Sequence, residues 1–216
     1  MNPYSPIPRI VAGTAHRHLI HRILRPDVPT DTQRIDLVTT SSKRISIIDS
    51  GDSLGERVAE GDTAVHALWQ FDERDAEIQI GTDHYPIAPG DTAMIPAGDS
   101  WQASPHTLMI EVAVRHPSLA LPMPPTHGDY HFTGHNRESR YPAMGATRLS
   151  RWKLSENLAL PAPARELVLI GLFNDIALTY SGGVSMLRKG GTSVIRPETG
   201  EITLVPNGLS YVLVID

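Results

Sequence analysis

Histidines and one tryptophan are the residues of this chain whose types and spacing could do chemistry. His127, His131 and His135 recur every four residues. On an extended strand such a set shares one face, and three converging imidazoles suit zinc. The competing reading is a His-rich segment packed with Tyr130, Phe132 and Tyr141, because spacing alone does not make ligands converge. Arg137, Arg140, Arg148 and Arg151 follow closely, a set able to receive a phosphate or carboxylate or to pair with surface acids. His16, His18 and His21 cluster near the N-terminus, where a solvated basic face is the simpler account than a metal site. His66 sits inside the apolar run 63–71, TAVHALWQF, either as a hydrogen-bonded core histidine or as the one titrating group of a pocket. Trp101 offers a flat apolar face for stacking on a sugar ring, or a plug for a cavity mouth. His66 and Trp101 are the candidate ligand-binding residues. No phosphate-cradling glycine loop, nucleophile elbow or redox cysteine pair occurs.

These side chains must be held by short strands. From 76 to 114 the sequence alternates strand-length apolar segments with turn chemistry at Gly81-Thr82-Asp83, Pro89-Gly90-Asp91 and Pro96-Ala97-Gly98. Such punctuation predicts an all-β sandwich or barrel. A shift of one hundred in the numbering lays this stretch on a second copy. Ile78 falls on Leu178, Ile87 on Leu187, and Val112 and Val114 on Val212 and Val214. The β module is therefore duplicated, and such repeats govern the fold. The same shift sets Glu166 at the position of His66 and Glu201 at that of Trp101. Strands are also expected over 34–40, 44–48 and 167–173, with Asn207-Gly208 turning a final hairpin over 203–215. The segment 14–25 reads as a short helix, and 115–147 as a long connection with little regular structure.

Gly90, five residues, then Pro96-Ala97-Gly98 resembles the second sequence motif of the cupins. The string IPAGDSWQASPHTLMIEVAV is similar to the barrel segment of type I mannose-6-phosphate isomerases, and 148–215 to the C-terminal barrel of that family. The resemblance implies double-stranded β-helix (cupin) barrels in tandem, a bicupin. It also implies a divalent metal (zinc, iron or manganese) and a sugar-phosphate isomerase ancestry. The chain departs from the pattern at Trp101, where a cupin places a metal-binding histidine. Indole carries an N–H donor and no lone pair for a cation. The first motif's ligands fall near Glu60, Asp62 and His66, oxygen and imidazole groups able to hold a hard or borderline cation. Neither His-x-His nor the later histidine is present, so the first barrel is expected to have lost the metal.

Composition limits the partners. The chain's 216 residues include 40% hydrophobic residues, 19 basic and 24 acidic side chains, for a formal net charge of -5. That argues against nucleic acid, which needs a basic face. No apolar run reaches membrane-spanning length. With no cysteine, disulfides and thiolate metal sites are excluded, which fits a cytoplasmic protein. The expected organisation is an N-terminal arm and helix (1–30), a first cupin barrel (31–115), a connection between modules (116–146) and a second cupin barrel (147–216). The expected function is a catalytically degenerate binder of a small molecule, a sugar or sugar phosphate. The alternative is a metal-dependent aldose–ketose isomerase. The resemblance further implies a homodimer.

Overall fold

In a computed structural model, residues 9–10, 33–39, 43–50, 57–58, 65–70, 76–88, 91–96, 98–105, 107–114, 123–126, 129–133, 135–141 and 147–216 are described. Their regular structure is all-β apart from one turn of 3-10 helix, Pro197–Thr199. The expected helix over 14–25 lies outside the described residues. In chain order the first strands are β1 (Arg9–Ile10), β2 (Gln33–Thr39), β3 (Lys43–Asp49), β4 (Arg57–Val58), β5 (Val65–Gln70), β6 (Ala76–Ile80) and β7 (Asp83–Ile87). Then come β8 (Thr92–Pro96), β9 (Ser100–Ala103), β10 (Leu108–Val114), β11 (Met123–Thr126), β12 (Asp129–Thr133), β13 (Asn136–Arg140) and β14 (Leu149–Leu154). The last are β15 (Leu158–Leu160), β16 (Leu167–Phe173), β17 (Ile176–Tyr180), β18 (Gly183–Leu187), β19 (Thr192–Ile195), β20 (Ile202–Pro206) and β21 (Ser210–Ile215). No helix among the described residues is long and apolar enough to cross a membrane.

The chain divides into two compact units. The first takes residues 18–128 and 143–146; the second takes 1–17, 129–142 and 147–216. The first unit holds a six-stranded sheet, β11-β8-β5-β10-β3-β2, and a four-stranded sheet, β4-β9-β6-β7. The second holds a seven-stranded sheet, β1-β19-β16-β21-β14-β13-β12, and a four-stranded sheet, β15-β20-β17-β18. Strand for strand the order is the same, with β12 as an addition at one edge. The edge beside β8 is filled by β11, and the equivalent edge beside β19 by β1, from near the N-terminus.

Alternating apolar residues explain why the two sheets of each unit face one another. Ile48, Ala93, Ile95 and Met109 of the larger sheet join Ile78, Ile80, Ile87 and Trp101 of the smaller in one buried cluster. In the second unit Leu169, Ile195, Val212 and Val214 meet Ile176, Leu178, Leu187 and Leu204. Each fully buried side chain of this size contributes about 1.5–3 kcal/mol, so these clusters fix which face of every strand turns inward.

Three expectations need correction. The connection over 115–147 is not bare: it holds β11, β12 and β13, and β12 and β13 pair antiparallel with Thr133 opposite Asn136. Asn207-Gly208 does not turn a hairpin. β20 pairs with β15 and β17, while β21 pairs with β14 and β16, so the turn carries the chain from one sheet to the other. Gly208 has φ +78°, a left-handed conformation that suits this turn whichever sheet follows. The gap-free shift of one hundred holds for β6–β7 against β17–β18 but slips on either side, most at β10, where Val112 and Ile215 stand opposite Ala67 and Val168, so Val112 matches Ile215, not Val212, and Val214 matches Glu111, not Val114. Trp69 and Ile170 stand opposite Thr92 and Thr192, so His66 matches Leu167, not Glu166. Trp101 and Ile202 stand opposite Ile80 and Tyr180, so Trp101 matches Ile202, not Glu201. The connection into β17 is one residue shorter than its counterpart, and the 3-10 turn after β19 restores the residue.

Candidate functional site

The polar groups that enter the first unit do so on the inner face of its larger sheet. That face is read off the ladders. Met109 and Ile48 are opposite one another and belong to the core cluster, so alternate residues along β10 and β3 lie on the same side. Two positions on from Met109 is Glu111, 2% exposed, opposite Ser46 of β3 and Leu68 of β5. Ser46 in turn stands opposite Asp36 on the edge strand β2, and its fully buried hydroxyl donates to Asp36 Oδ1 at 2.7 Å. The next inward row contains Arg44, Ala113, His66 and Ile95. Arg44 Nη2 lies 3.9 Å from Glu111 Oε2, with the arginine side chain 21% exposed and the glutamate 3%. Asp36 itself is exposed. A track of polar side chains thus runs from solvent at β2 to a carboxylate between the two sheets.

A buried carboxylate is costly unless partnered. Here the guanidinium of Arg44 is the opposing charge, at the long end of ion-pair range. Together Arg44, Ser46, Asp36 and Glu111 can donate from a guanidinium and a hydroxyl and accept on two carboxylates. Sequence reasoning missed this set because β2 and β3 alternate polar and apolar residues, as any half-solvated strand does. The readable signal was Glu111, a carboxylate in the middle of the otherwise apolar LMIEVAV.

His66 is placed by register in the row of Arg44 and Ala113. Trp101 is 2% exposed and packs in the apolar cluster with Ile78, Ile80, Ile95 and Ala103. Both sequence candidates therefore belong to the first unit, on its two facing sheets. Beside the Trp101 strand, a cleft of ≈ 200 Å³ is lined by Gln79, Gly81, Ser100, Trp101 and Gln102. The carboxamide of Gln102 donates to Gln79 Oε1, whose own Nε2 donates to the carbonyl of Gly81 at 2.9 Å.

The other candidates do not come together. Glu60 and Asp62, like His16, His18, His21 and His127, lie outside the described residues. His131 is in β12 opposite Glu138, whereas His135 is exposed in the turn where the chain reverses, so the two share no strand. The backbone N–H of His135 donates to Glu156 Oε1 at 3.3 Å. Arg140 Nε donates to Glu138 Oε2 at 2.8 Å, and this hydrogen bond, with the carboxylate's charge, raises the guanidinium pKa above its ordinary value. Arg137 and Arg151 stand opposite Lys153 and Ser139, on the other face of the sheet from Arg140. The backbone N–H of Arg148 donates to Asp216 Oδ1 at 2.8 Å.

A divalent cation needs converging lone pairs. Among the described residues no group of three His, Asp or Glu side chains could hold one. At the position of the usual histidine stands an indole that offers none. Glu60 and Asp62, which lie outside the described residues, are not part of that set.

Among its described residues the second unit presents no equivalent track. The residue matching Glu111 is Val214, because Leu68 and Leu169 stand opposite Ala93 and Ser193 and, on their other side, opposite Glu111 and Val214. The residue matching Gln70 is Gly171, where a Cβ would collide with the carbonyl oxygen of Arg188. That approach is tied by the N–H of Gly191 donating to Arg188 O at 2.8 Å and the N–H of Gly190 donating to Gly171 O at 2.7 Å.

No protein-family model and no curated protein sequence matches the chain. Solved structures do. A "Cupin 2 conserved barrel domain protein" from Leptotrichia buccalis matches with TM-score 0.61 at 14% identity, over 90% of this chain and 93% of that one. The mannose 6-phosphate isomerase of Bacillus subtilis matches with TM-score 0.65 at 10% identity, over 83% and 77%. A salicylate 1,2-dioxygenase from Pseudaminobacter salicylatoxidans matches with TM-score 0.65 at 10% identity, over 99% and 85%. Identities this low carry the fold and no activity, and the chain has the cupin fold.

Proposed function

We propose that this chain is a tandem bicupin whose first unit binds a small polar molecule of the sugar or sugar-phosphate class, and whose second unit supports it. The observation that carries this reading is Glu111, a carboxylate 2% exposed between two sheets where the second unit has Val214. Burying such a group costs several kcal/mol in stability unless it is well paired. A hydroxylated ligand would suit such a group, with the carboxylates of Glu111 and Asp36 accepting its hydroxyl protons and Arg44 donating. His66 lies in the adjacent row by register. Trp101 would form the floor of the site. The absence of cysteine supports the cytoplasm as its compartment.

A second reading is supported by the likeness to the mannose 6-phosphate isomerase of Bacillus subtilis. Aldose–ketose interconversion moves a proton between adjacent carbons, and His66 and Glu111 occupy neighbouring rows where such carriers could stand. Thermal denaturation with a panel of sugars and sugar phosphates tests the first reading, since a ligand that binds only the native state raises the midpoint. At least one should stabilise the protein and lose its effect in Glu111→Val. If none does at millimolar concentration, the binder reading fails. Turnover of an aldose with added zinc, iron or manganese, abolished by His66→Ala, would establish the isomerase instead.

A further inference from the structure

The four-stranded sheets end on equivalent strands, β7 in the first unit and β18 in the second. Their hairpins have identical registers: Ala76 to Ile87 and Ile176 to Leu187 are partners, as are Glu77 and Pro86, Ala177 and Met186. Their edges differ. β7 reads DHYPI, with Asp83, His84 and Pro86 exposed, and His84 Nδ1 lies 2.7 Å from Glu77 Oε1. Charges and a proline are the means by which natural edge strands refuse further pairing. β18 reads GVSML, with no charge and no proline, and exposes Val184 at 65% and Met186 at 39%.

The direction of the unpaired backbone groups follows from the hairpin. A two-residue turn, Ser181-Gly182, closes β17 on β18, so the pairs Tyr180–Gly183, Leu178–Ser185 and Ile176–Leu187 carry the hydrogen bonds between them. The N–H and C=O groups of Val184 and Met186 therefore point away from β17, to an edge that no strand pairs among the described residues. Pro86, which has no N–H to offer, occupies the matching outward position in β7, as a proline at an edge must.

We propose that β18 is a self-association edge, through which two copies of this chain pair antiparallel about a two-fold axis at Ser185. The register is self-complementary. Val184 of each copy lies opposite Met186 of the other, apolar against apolar, and the two pairs exchange four backbone hydrogen bonds. The basic residues after the strand, Arg188 and Lys189, fall opposite the second copy's Gly182 and Ser181, so no like charges meet. An acidic or basic foreign strand would gain nothing from this uncharged edge. A contact of one short strand per copy is smaller than a standard stable interface, so the dimer is weak and concentration-dependent.

Sedimentation velocity from micromolar to millimolar chain should show a reversible monomer–dimer equilibrium. Met186→Pro copies the first unit's own device, removes only an outward N–H, and should leave a monomer with unchanged far-ultraviolet circular dichroism. The chain has no cysteine, so Ser185→Cys should cross-link two copies on mild oxidation, its position facing itself across the axis. A wild-type chain monomeric at every concentration overturns the proposal. So does a dimer that persists in folded Met186→Pro. Should that variant fail to fold, Ser185→Cys decides, and no covalent dimer means no such edge.

Discussion

The two units share strand order and hairpin register, and their inner faces are filled differently. On β5 and β10 the first unit places His66, Leu68, Gln70, Met109, Glu111 and Ala113 on one face by register. On β16 and β21 the second places Leu167, Leu169, Gly171, Val212 and Val214 on the matching face. The second face is closed by side chains and, at Gly171, by the backbone of Arg188. The first keeps a charged residue there and a polar route to it. The same strand order thus accommodates an inner face closed by apolar packing and one that keeps polar groups.

Exchanging residues between the copies should break this difference in order of severity. Val214→Glu, which writes the first unit's carboxylate into the second, should cost about 4 kcal/mol or more, because no cation lies opposite to receive it. Urea denaturation should show that unit unfolded or nearly so, and a midpoint close to wild type would mean the second inner face is not closed. Trp101→Ala should cost about 4 kcal/mol and Ile202→Ala about 3 kcal/mol, as large-to-small changes in filled cores. Equal and small losses at Trp101 would show that its indole packs loosely and is free to meet a ligand.

Glu111→Val should be milder, about 2 kcal/mol, since it removes one partner of an ion pair whose arginine side chain is 21% exposed. Adding Arg44→Leu should recover most of that loss, and a double variant no better than the single would remove the ion pair from the account. At the bottom of the scale, His84→Ala breaks a pair whose side chains are 55% and 58% exposed, and it should change stability by less than about 0.5 kcal/mol.

Strand positions were legible because turn residues punctuate them. Leu108–Val114 and Leu167–Phe173 have the bounds expected from the apolar runs. The duplication was legible too, since β6–β7 and β17–β18 differ by one hundred throughout. Sheet membership was not. Asn207-Gly208 looks the same whether the next strand returns beside the last or crosses to the facing sheet, and long-range burial decides it. Nor were the slips of register, which leave a gap-free comparison intact at its centre while misplacing Glu166, Glu201, Val212 and Val214 away from it. The site suffered most: a polar residue alternating with apolar ones looks solvated until a second sheet is known to cover it, as it covers Ser46.

The short strand Arg9–Ile10 pairs with Val194 and Ser193, so the seven-stranded sheet is closed at one edge by residues that precede the rest of that sheet by more than a hundred positions. During synthesis that segment must wait while the first unit folds and nearly the whole second unit emerges. A tag fused ahead of Arg9 would thus be felt at the far end of the sequence, and a fragment beginning at residue 147 would start life with an uncovered β19.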